Sequence, residues 1–500
     1  MKISVEQKYE NNYIRIKTLI GRLLKRKKYQ RACDLIKYCC NYKYFVNDIY
    51  YDQDLEYYCR KISQSLCGNI TKQQNRSEMV LFYDQLSRDG RVLSTQYLQG
   101  LHKSGKEIIY VYYEDNELNT RLRAYCKENN IKMYSLGLRY DLDSLRELVR
   151  IYKLVAPSVV ITQCHVDDYV GAIFNYSIFK SDIMNIFINI SDHTFWLGQG
   201  AYKTYIEFRD YGYSVTTEKR DISADRLVKL PYYAVDSVGE FHGFDSKLNN
   251  KKIILSGGAT YKIQGKPDFF GIINSILGQY EDCAFLYLTN GDKDYVLKGI
   301  NREFHERVVV SNERNDLDEI MKRTFMYINT YPICGALMSL YAAKNSLMPF
   351  TIYNKEDPIN DLRDFFTPEA SALFLFPDAP SLVKAIDDYY HNADQYTIDC
   401  KLINEDCINK SKFDAALSRI IENNQNEYAF KRVQVDYDKI TRVYMKNIET
   451  RMKDICFSSR SIDIFIRFPL TFLSGAFSVL KSKGLTFFVK KTKKYLMIGK

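Results

Sequence analysis

Twelve cysteines are scattered from Cys33 to Cys456 without a CxxC pair or any zinc-ligand spacing, so a structural metal centre is not expected. A secretory leader is missing from Met1–Glu10 as well, and the thiols are therefore expected to stay reduced in a cytoplasm. Long uncharged apolar runs are also lacking. The apolar stretch that begins near Ser461 is broken by Asp463, Arg467, Pro469 and Gly475, whereas a membrane-spanning helix wants about 20 nearly uncharged residues. No tandem repeat of short fixed period is visible, and no nucleic-acid recognition module accompanies the basic residues, so nucleic acid is not an expected partner.

What is present is ordinary globular material, 46% apolar and 26% charged, in a chain of 500 residues. That length exceeds what one core holds and predicts two or three domains. The formal charge of +10 is uneven: from Ile455 onward nine basic residues face the single acid Asp463.

Residues 1–76 read as helical, with Ile16, Leu19, Ile20, Leu23 and Leu24 at helical spacing and a second run holding Cys33, Leu35, Ile36 and Cys39. This segment is expected to be a helical cap or docking hairpin. From Glu78 the pattern becomes strand–helix alternation, with strands near 79–83, 108–113, 131–136, 158–162 and 185–190. A polar, glycine-containing segment at 236–250 reads as a hinge. A second series follows, with strands near 252–256, 284–289, 308–310, 325–329, 350–353 and 373–376. The expected architecture is α/β, with two Rossmann-like domains (77–240 and 241–428) facing across a cleft, followed by C-terminal helices and a basic amphipathic tail over 429–500.

Ligands of such sheets bind outside the carboxyl ends of the strands, where helices begin with unpaired N–H groups. Two segments of the second domain fit that description. In one, Gly257 and Gly258 follow a strand directly, with Lys262 and Lys266 a few residues on. Glycines let backbone approach a phosphate, and a lysine neutralises it. The other runs from a strand into Pro332 and Gly335 and then into a helix from Ala336.

The stretch from Ser191 to Tyr233, together with NTYPICGALMSLYAAKNSLMPF, resembles bacterial glycosyltransferases of the GT-B fold, of the capsular and envelope polysaccharide type. The likeness covers about residues 78–425. It implies a nucleoside diphosphate sugar as donor substrate, with no cofactor or metal, and a glycan or lipid-linked acceptor bound mainly by the first domain. It further implies that Gly257, Gly258, Lys262, Lys266, Gly335, Ala336, Leu337, Met338 and Ser339 line the diphosphate site, with Asn290 and Asn312 near the base and ribose. Many retaining members carry two glutamates flanking this turn. Here Cys334 and Ala342 stand in those places, which favours an inverting displacement with a base from the first domain, or else a non-catalytic binding subunit of this fold.

Imidazole suits a base near neutral pH. His193, beside Asp192, follows the strand ending at Ile190; His165, near Asp167, follows Thr162 in the preceding βα unit. His193 is the expected base and His165 the alternative. Trp196, the only tryptophan, would stack on a sugar or pack in the core, and the charges at Arg209, Asp210, Glu218 and Arg220 are expected to be solvated or paired between elements. The tail over 456–500 is expected either to rest on an anionic membrane surface, placing the protein at the inner face of the cell membrane, or to pack a last helix on the first domain.

Overall fold

The computed structural model describes residues 5–68, 70, 77–87, 92–114, 119–237, 239–353, 362–445, 448–459, 461–478 and 480. Contacts divide the chain into two compact units, Met1–Leu230 with Asp414–Lys500, and Pro231–Phe413.

The first unit holds a parallel sheet of β1 (Ser77–Asp84), β2 (Ile108–Tyr112), β3 (Lys132–Ser135), β4 (Pro157–Gln163), β5 (Met184–Ile188), β6 (Thr204–Glu207) and β7 (Leu227–Lys229), in the order β3-β2-β1-β4-β5-β6-β7. The sequence IIYVY of β2 is buried throughout because helices cover both faces, which is why it reads as a continuous apolar run. Strand β3, at the sheet edge, is exposed at Lys132 and Ser135 and half-buried at Met133 and Tyr134. Between strands the helices are capped locally: Asp141 accepts from the amides of Asp143 and Ser144 at 3.0 and 3.2 Å and so starts the helix Leu142–Val155. Strands β6 and β7 and the intervening helix Asp210–Lys219 are absent from the sequence reading; at four and three residues, the two strands are too short to show a period.

The second unit repeats the plan. Strands β8 (Lys252–Gly257), β9 (Cys283–Leu288), β10 (Val308–Ser311), β11 (Met326–Ile328), β12 (Pro349–Ile352) and β13 (Leu375–Phe376) are parallel in the order β10-β9-β8-β11-β12-β13. Both sheets thus run outward in two directions from their first strand, and each has a topological switch point beside it where ligands of doubly wound sheets bind. The core of this unit includes Ile254, Phe269, Phe285, Tyr327, Ala342 and Phe350. Between β9 and β10 the chain forms a short helix, Lys293–Gly299, and a tighter turn at Arg302–Arg307.

The segment 236–250 is not a free hinge. It lies inside the second unit and is tied to the start of the helix Leu317–Met321: Ser237 N–H donates to Asp318 at 2.7 Å, His242 N–H to Asp316 at 2.9 Å, and Gly239 N–H to the Asn315 carbonyl at 3.1 Å.

The N-terminal helices α1 (Val5–Lys25), α2 (Tyr29–Val46) and α3 (Gln53–Leu66) share one apolar core with the first sheet, through Ile16, Leu35, Leu55, Val111, Val160 and Phe174. Asp52 caps α3 and also takes hydrogen bonds from Tyr13 (2.6 Å) and Lys17 (2.8 Å) of α1. Glu56 of α3 accepts the amides of Gly198 and Gln199 at 2.8 and 3.1 Å, so the helices help to shape the loop between β5 and β6. The C-terminal helices Tyr437–Met445, Ile448–Ser458 and Ile462–Arg467 return to this unit, with Met452, Ile464 and Phe468 in the same core. Helical packing on the first domain, one of the two readings of the tail, holds on its inner side through Phe472. Residues 481–500, with most of the tail's charge, lie outside the described residues.

Candidate functional site

At the carboxyl edge of the first sheet, the loops after β4 and β5 each carry a histidine held by a buried carboxylate. His193 Nδ1 lies 2.9 Å from Asp192 Oδ1, and His165 Nδ1 lies 2.8 Å from Asp167 Oδ1. The rings are partly exposed, 26% and 35%, whereas the carboxylates are buried. Asp192 therefore orients His193 and does not itself reach a substrate. Arg209, just past β6, grips Asp192 through two bonds of 2.6 and 3.0 Å. Burial pushes the Asp192 carboxyl up, but the Arg209 guanidinium and the bonds from His193 and Arg209 outweigh it and hold the acid well below the usual carboxylate range. Asp167 is likewise held low against its burial, by Lys37, His165 and Asn41.

Helix α2 buttresses both loops. Asn41 donates to Asp167 at 2.6 Å, and Asn47, the residue that ends the helix, donates to the His193 carbonyl at 3.0 Å.

Beneath the His193 loop lies Arg220, fully buried, which donates to the carbonyls of Ser191 (3.3 Å), Asp192 (3.0 Å) and Thr194 (2.6 Å) and to Thr216 (3.0 Å). Neither Arg209 nor Arg220 is solvated, because buried carbonyls and a buried carboxylate claim both. Trp196 is 1% exposed and packs against Phe187, Tyr205 and the Arg220 guanidinium, which excludes it as a sugar platform.

Glu207, at the end of β6, accepts from Asn189 (2.9 Å) and Thr216 (2.6 Å). Burial pushes its carboxyl up to about 7 from an ordinary 4.5, with Arg220 pulling the other way and Asp192 adding to the rise. The folded state then holds a proton that the unfolded chain has released, so this group makes stability fall as pH rises from about 4.5 to about 7. Asp192 and Asp167, held low, act with the opposite slope and in a more acid window. Glu207→Gln is expected to flatten the stability curve between about pH 5 and about pH 7.5, by an amount on the order of 3 kcal/mol. Denaturant unfolding at those two pH values checks it; an unchanged slope refutes it.

In the second unit the loops after β8 and β11 meet. Ile333 N–H donates to the Lys262 carbonyl at 3.1 Å, and Lys266 Nζ donates to the Tyr331 hydroxyl at 2.8 Å. Gly257 is pressed against the neighbouring strand, where a Cβ would come within 2.9 Å of the Leu288 carbonyl, and Gly258 has φ of +139°, a conformation that favours glycine. The loops after β9 and β10 join them: Asn290 Oδ1 accepts the Glu313 amide at 3.2 Å, while Asn290 and Asn312 themselves are exposed.

Two expected ligands are otherwise engaged. The Gly335 amide donates to Asn329 Oδ1 at 2.8 Å, and Ser339, fully buried, accepts from Asn329 Nδ2 at 2.9 Å and donates to the Gly335 carbonyl at 3.2 Å. Asn329, at the end of β11, thus knots the turn from within, and Gly335 N–H and Ser339 Oγ are not turned to a ligand. The helix Ala336–Lys344 nevertheless begins without a side-chain cap, so its first amides, those of Ala336, Leu337 and Met338, have no partner within the helix. Beside this turn, the half-buried ammonium of Lys262 makes no hydrogen bond or ion pair with any described residue; desolvation depresses its pKa, against a small opposing pull from Cys334. Glu207 and Asn329 escape the sequence reading, whereas Arg209 forms one of the pairs between elements expected there. An Asn at a strand end, six residues before the Gly335 amide that it accepts, is a signal that reasoning from glycines and lysines passes over.

No protein-family model matches the chain, and no curated protein matches it in sequence. Among solved structures it is similar to Anabaena Alr3699/HepE in complex with UDP and glucose, with a TM-score of 0.50 and 10% identity over 69% of this chain and 99% of that one. It is also similar to WaaG, a glycosyltransferase involved in lipopolysaccharide biosynthesis (TM-score 0.48, 9% identity, 69% and 100% covered), and to S. aureus MnaA with UDP (0.46, 13%, 71% and 100%). At these identities the likeness concerns the fold. The chain has the GT-B fold, with two Rossmann-like domains and added N-terminal helices.

Proposed function

We propose that the protein is a glycosyltransferase that moves a sugar from a nucleoside diphosphate donor to a glycan or lipid-linked acceptor of an envelope polysaccharide. The observation that carries this reading is the Lys262 ammonium, unpaired among the described residues, beside the uncapped start of the helix Ala336–Lys344. A desolvated cation and a row of open amides form an anion site of the kind that stabilises a leaving diphosphate, and no metal is needed for that role in this reading. In this reading Asn290 and Asn312, both exposed on strand-end loops, meet the ribose and base. The UDP and glucose held by HepE, a protein of the same fold, agree with this donor class.

His193 takes the acceptor proton, its ring fixed by Asp192, as the hydroxyl oxygen attacks the anomeric carbon and the bond to the diphosphate oxygen breaks. An inverting course agrees with Cys334 and Ala342, neither of them a carboxylate, at the positions where retaining relatives carry glutamates. A cytoplasmic setting agrees with twelve free thiols.

Lys262→Met is expected to weaken UDP binding by roughly tenfold to a hundredfold, as befits loss of a charge-assisted bond, with a smaller effect from Lys266→Met because that ammonium already serves Tyr331. Calorimetric titration with UDP and GDP measures both; equal affinity in wild type and the Lys262 variant would refute the anion site. The same missing carboxylates also suit a non-catalytic binding subunit. Nucleotide binding without hydrolysis or transfer across a panel of sugar nucleotides would select that second reading.

A further inference from the structure

The C-terminal helical run presents apolar residues on two opposite sides. Its inner side is accounted for. Asp463 pairs with Arg31 of α2 at 2.7 and 3.1 Å, Ile464 and Phe468 are buried, the Phe468 ring lies 6.2 Å from Tyr38, and Phe472 lies 5.4 Å from Phe457. Gly475 sits so close to the Lys453 carbonyl that no larger residue fits. Helical bonding continues past Arg467, through Phe468 N–H to the Ile464 carbonyl and Phe472 N–H to the Phe468 carbonyl, both 2.9 Å.

The outer side has no such account. Ile462, Ile466, Leu470, Leu473 and Phe477 recur every three or four residues and are 64%, 68%, 82%, 55% and 67% exposed. Scattered apolar residues on a surface are normal, but a row of five large ones is a docking face.

The charges beside this row identify what covers it. The end of α1 and the turn into α2 carry Lys25, Arg26, Lys27 and Lys28, all exposed and none in an ion pair with a described residue. Lys28 immediately precedes α2, and Arg31, in the first turn of that helix, is the residue that holds Asp463. The cationic turn therefore lies at the end of α2 where the C-terminal run docks. Arg467 is exposed on the run itself, and the sequence from 481 to 500 adds seven lysines and no acid. A second copy of the chain would bring these cations against one another. A bilayer with anionic headgroups satisfies both features, taking the apolar row into the headgroup–acyl boundary and pairing the cations with phosphates.

We infer that residues Ile462–Phe477 and the Lys25–Lys28 turn form one membrane-docking face that binds an anionic lipid surface. No described helix is long and apolar enough to cross a membrane. Attachment by this face needs none.

The experiment is flotation of the full-length protein with vesicles of phosphatidylcholine alone or mixed with phosphatidylglycerol, at low and high salt. The wild type is expected to float with the mixed vesicles and to be released by salt. Leu470→Asp is expected to reduce partitioning by about tenfold or more, and Lys25→Glu with Lys28→Glu by a factor on the order of ten. All three positions are exposed, so thermal unfolding should match the wild type. Truncation at 456, the cut that the sequence suggests, is not a clean test because it strips Ile464 and Phe468 from the core. Failure to float, equal binding to neutral vesicles, or unchanged flotation of Leu470→Asp would overturn the proposal. So would a dimer in analytical ultracentrifugation that Leu470→Asp dissolves, since the row would then belong to a second copy. Flotation does not depend on transfer, so this inference stands or falls apart from the proposed reaction.

Discussion

Replacing His193 by alanine is expected to lower kcat for sugar transfer by about 10²–10⁴-fold, the usual loss on removing a positioned general base. UDP affinity should not change, because the reading assigns no diphosphate contact to His193. His165→Ala is expected to have the smaller effect of the two. The comparison is informative because the two histidines are alike in their immediate partners, each with Nδ1 on a buried aspartate under the eaves of α2. They differ in what anchors the aspartate: a two-bond grip from buried Arg209 for Asp192, and a lysine 3.8 Å away plus an asparagine for Asp167. Steady-state rates with a matched donor and acceptor would decide it. A His193→Ala enzyme within roughly threefold of wild type would remove this residue from the chemistry and transfer the role to His165 or to no histidine.

The second large effect is on stability. Arg220→Met keeps the aliphatic bulk but removes the guanidinium, leaving the carbonyls of Ser191, Asp192 and Thr194 buried without a donor and Glu207 without its nearby cation. Breaking a buried charged network in this way is expected to cost about 3–5 kcal/mol. Trp196 lies 5.1 Å from that guanidinium, is the only tryptophan in the chain and is buried in the first unit, so its fluorescence follows the unfolding of this unit alone. A denaturant midpoint equal to that of wild type would show that water satisfies the loop and that Arg220 is dispensable. Because the loop also carries His193, a destabilised variant that still folds should be slow as well as unstable.

How far the sequence led depends on which physical signal each feature leaves behind. Doubly covered parallel strands leave apolar runs, so IIYVY and CAFLYL could be read as strands with nearly the observed bounds. The helix from Ala336 could be read with its observed start, because Gly335 marks it. Strands β6 and β7 leave almost nothing, and with them went Glu207 and the setting of Arg209 and Arg220. The glycine-and-lysine reasoning chose loops that do converge, but it gave Ser339 and the Gly335 amide to a ligand when Asn329 had already taken both. Side-chain hydrogen bonds across six to ten residues carry no periodicity, so nothing in composition or spacing announces them. The part played by α2 was invisible for the same reason, since Asn41 and Asn47 reach loops more than a hundred residues away.

The return of the C-terminal helices, from Asp414 to Phe468, to the first unit has a consequence for biosynthesis. The unit spanning Pro231–Phe413 is continuous in the chain and can complete its core while translation is still under way, as domains generally fold during synthesis. The other unit begins first and finishes last: the N-terminal half of α2 waits, with Tyr38 uncovered and Arg31 unpaired, until Phe468 and Asp463 leave the ribosome. A nascent chain arrested before that point leaves this apolar surface exposed and open to misassembly.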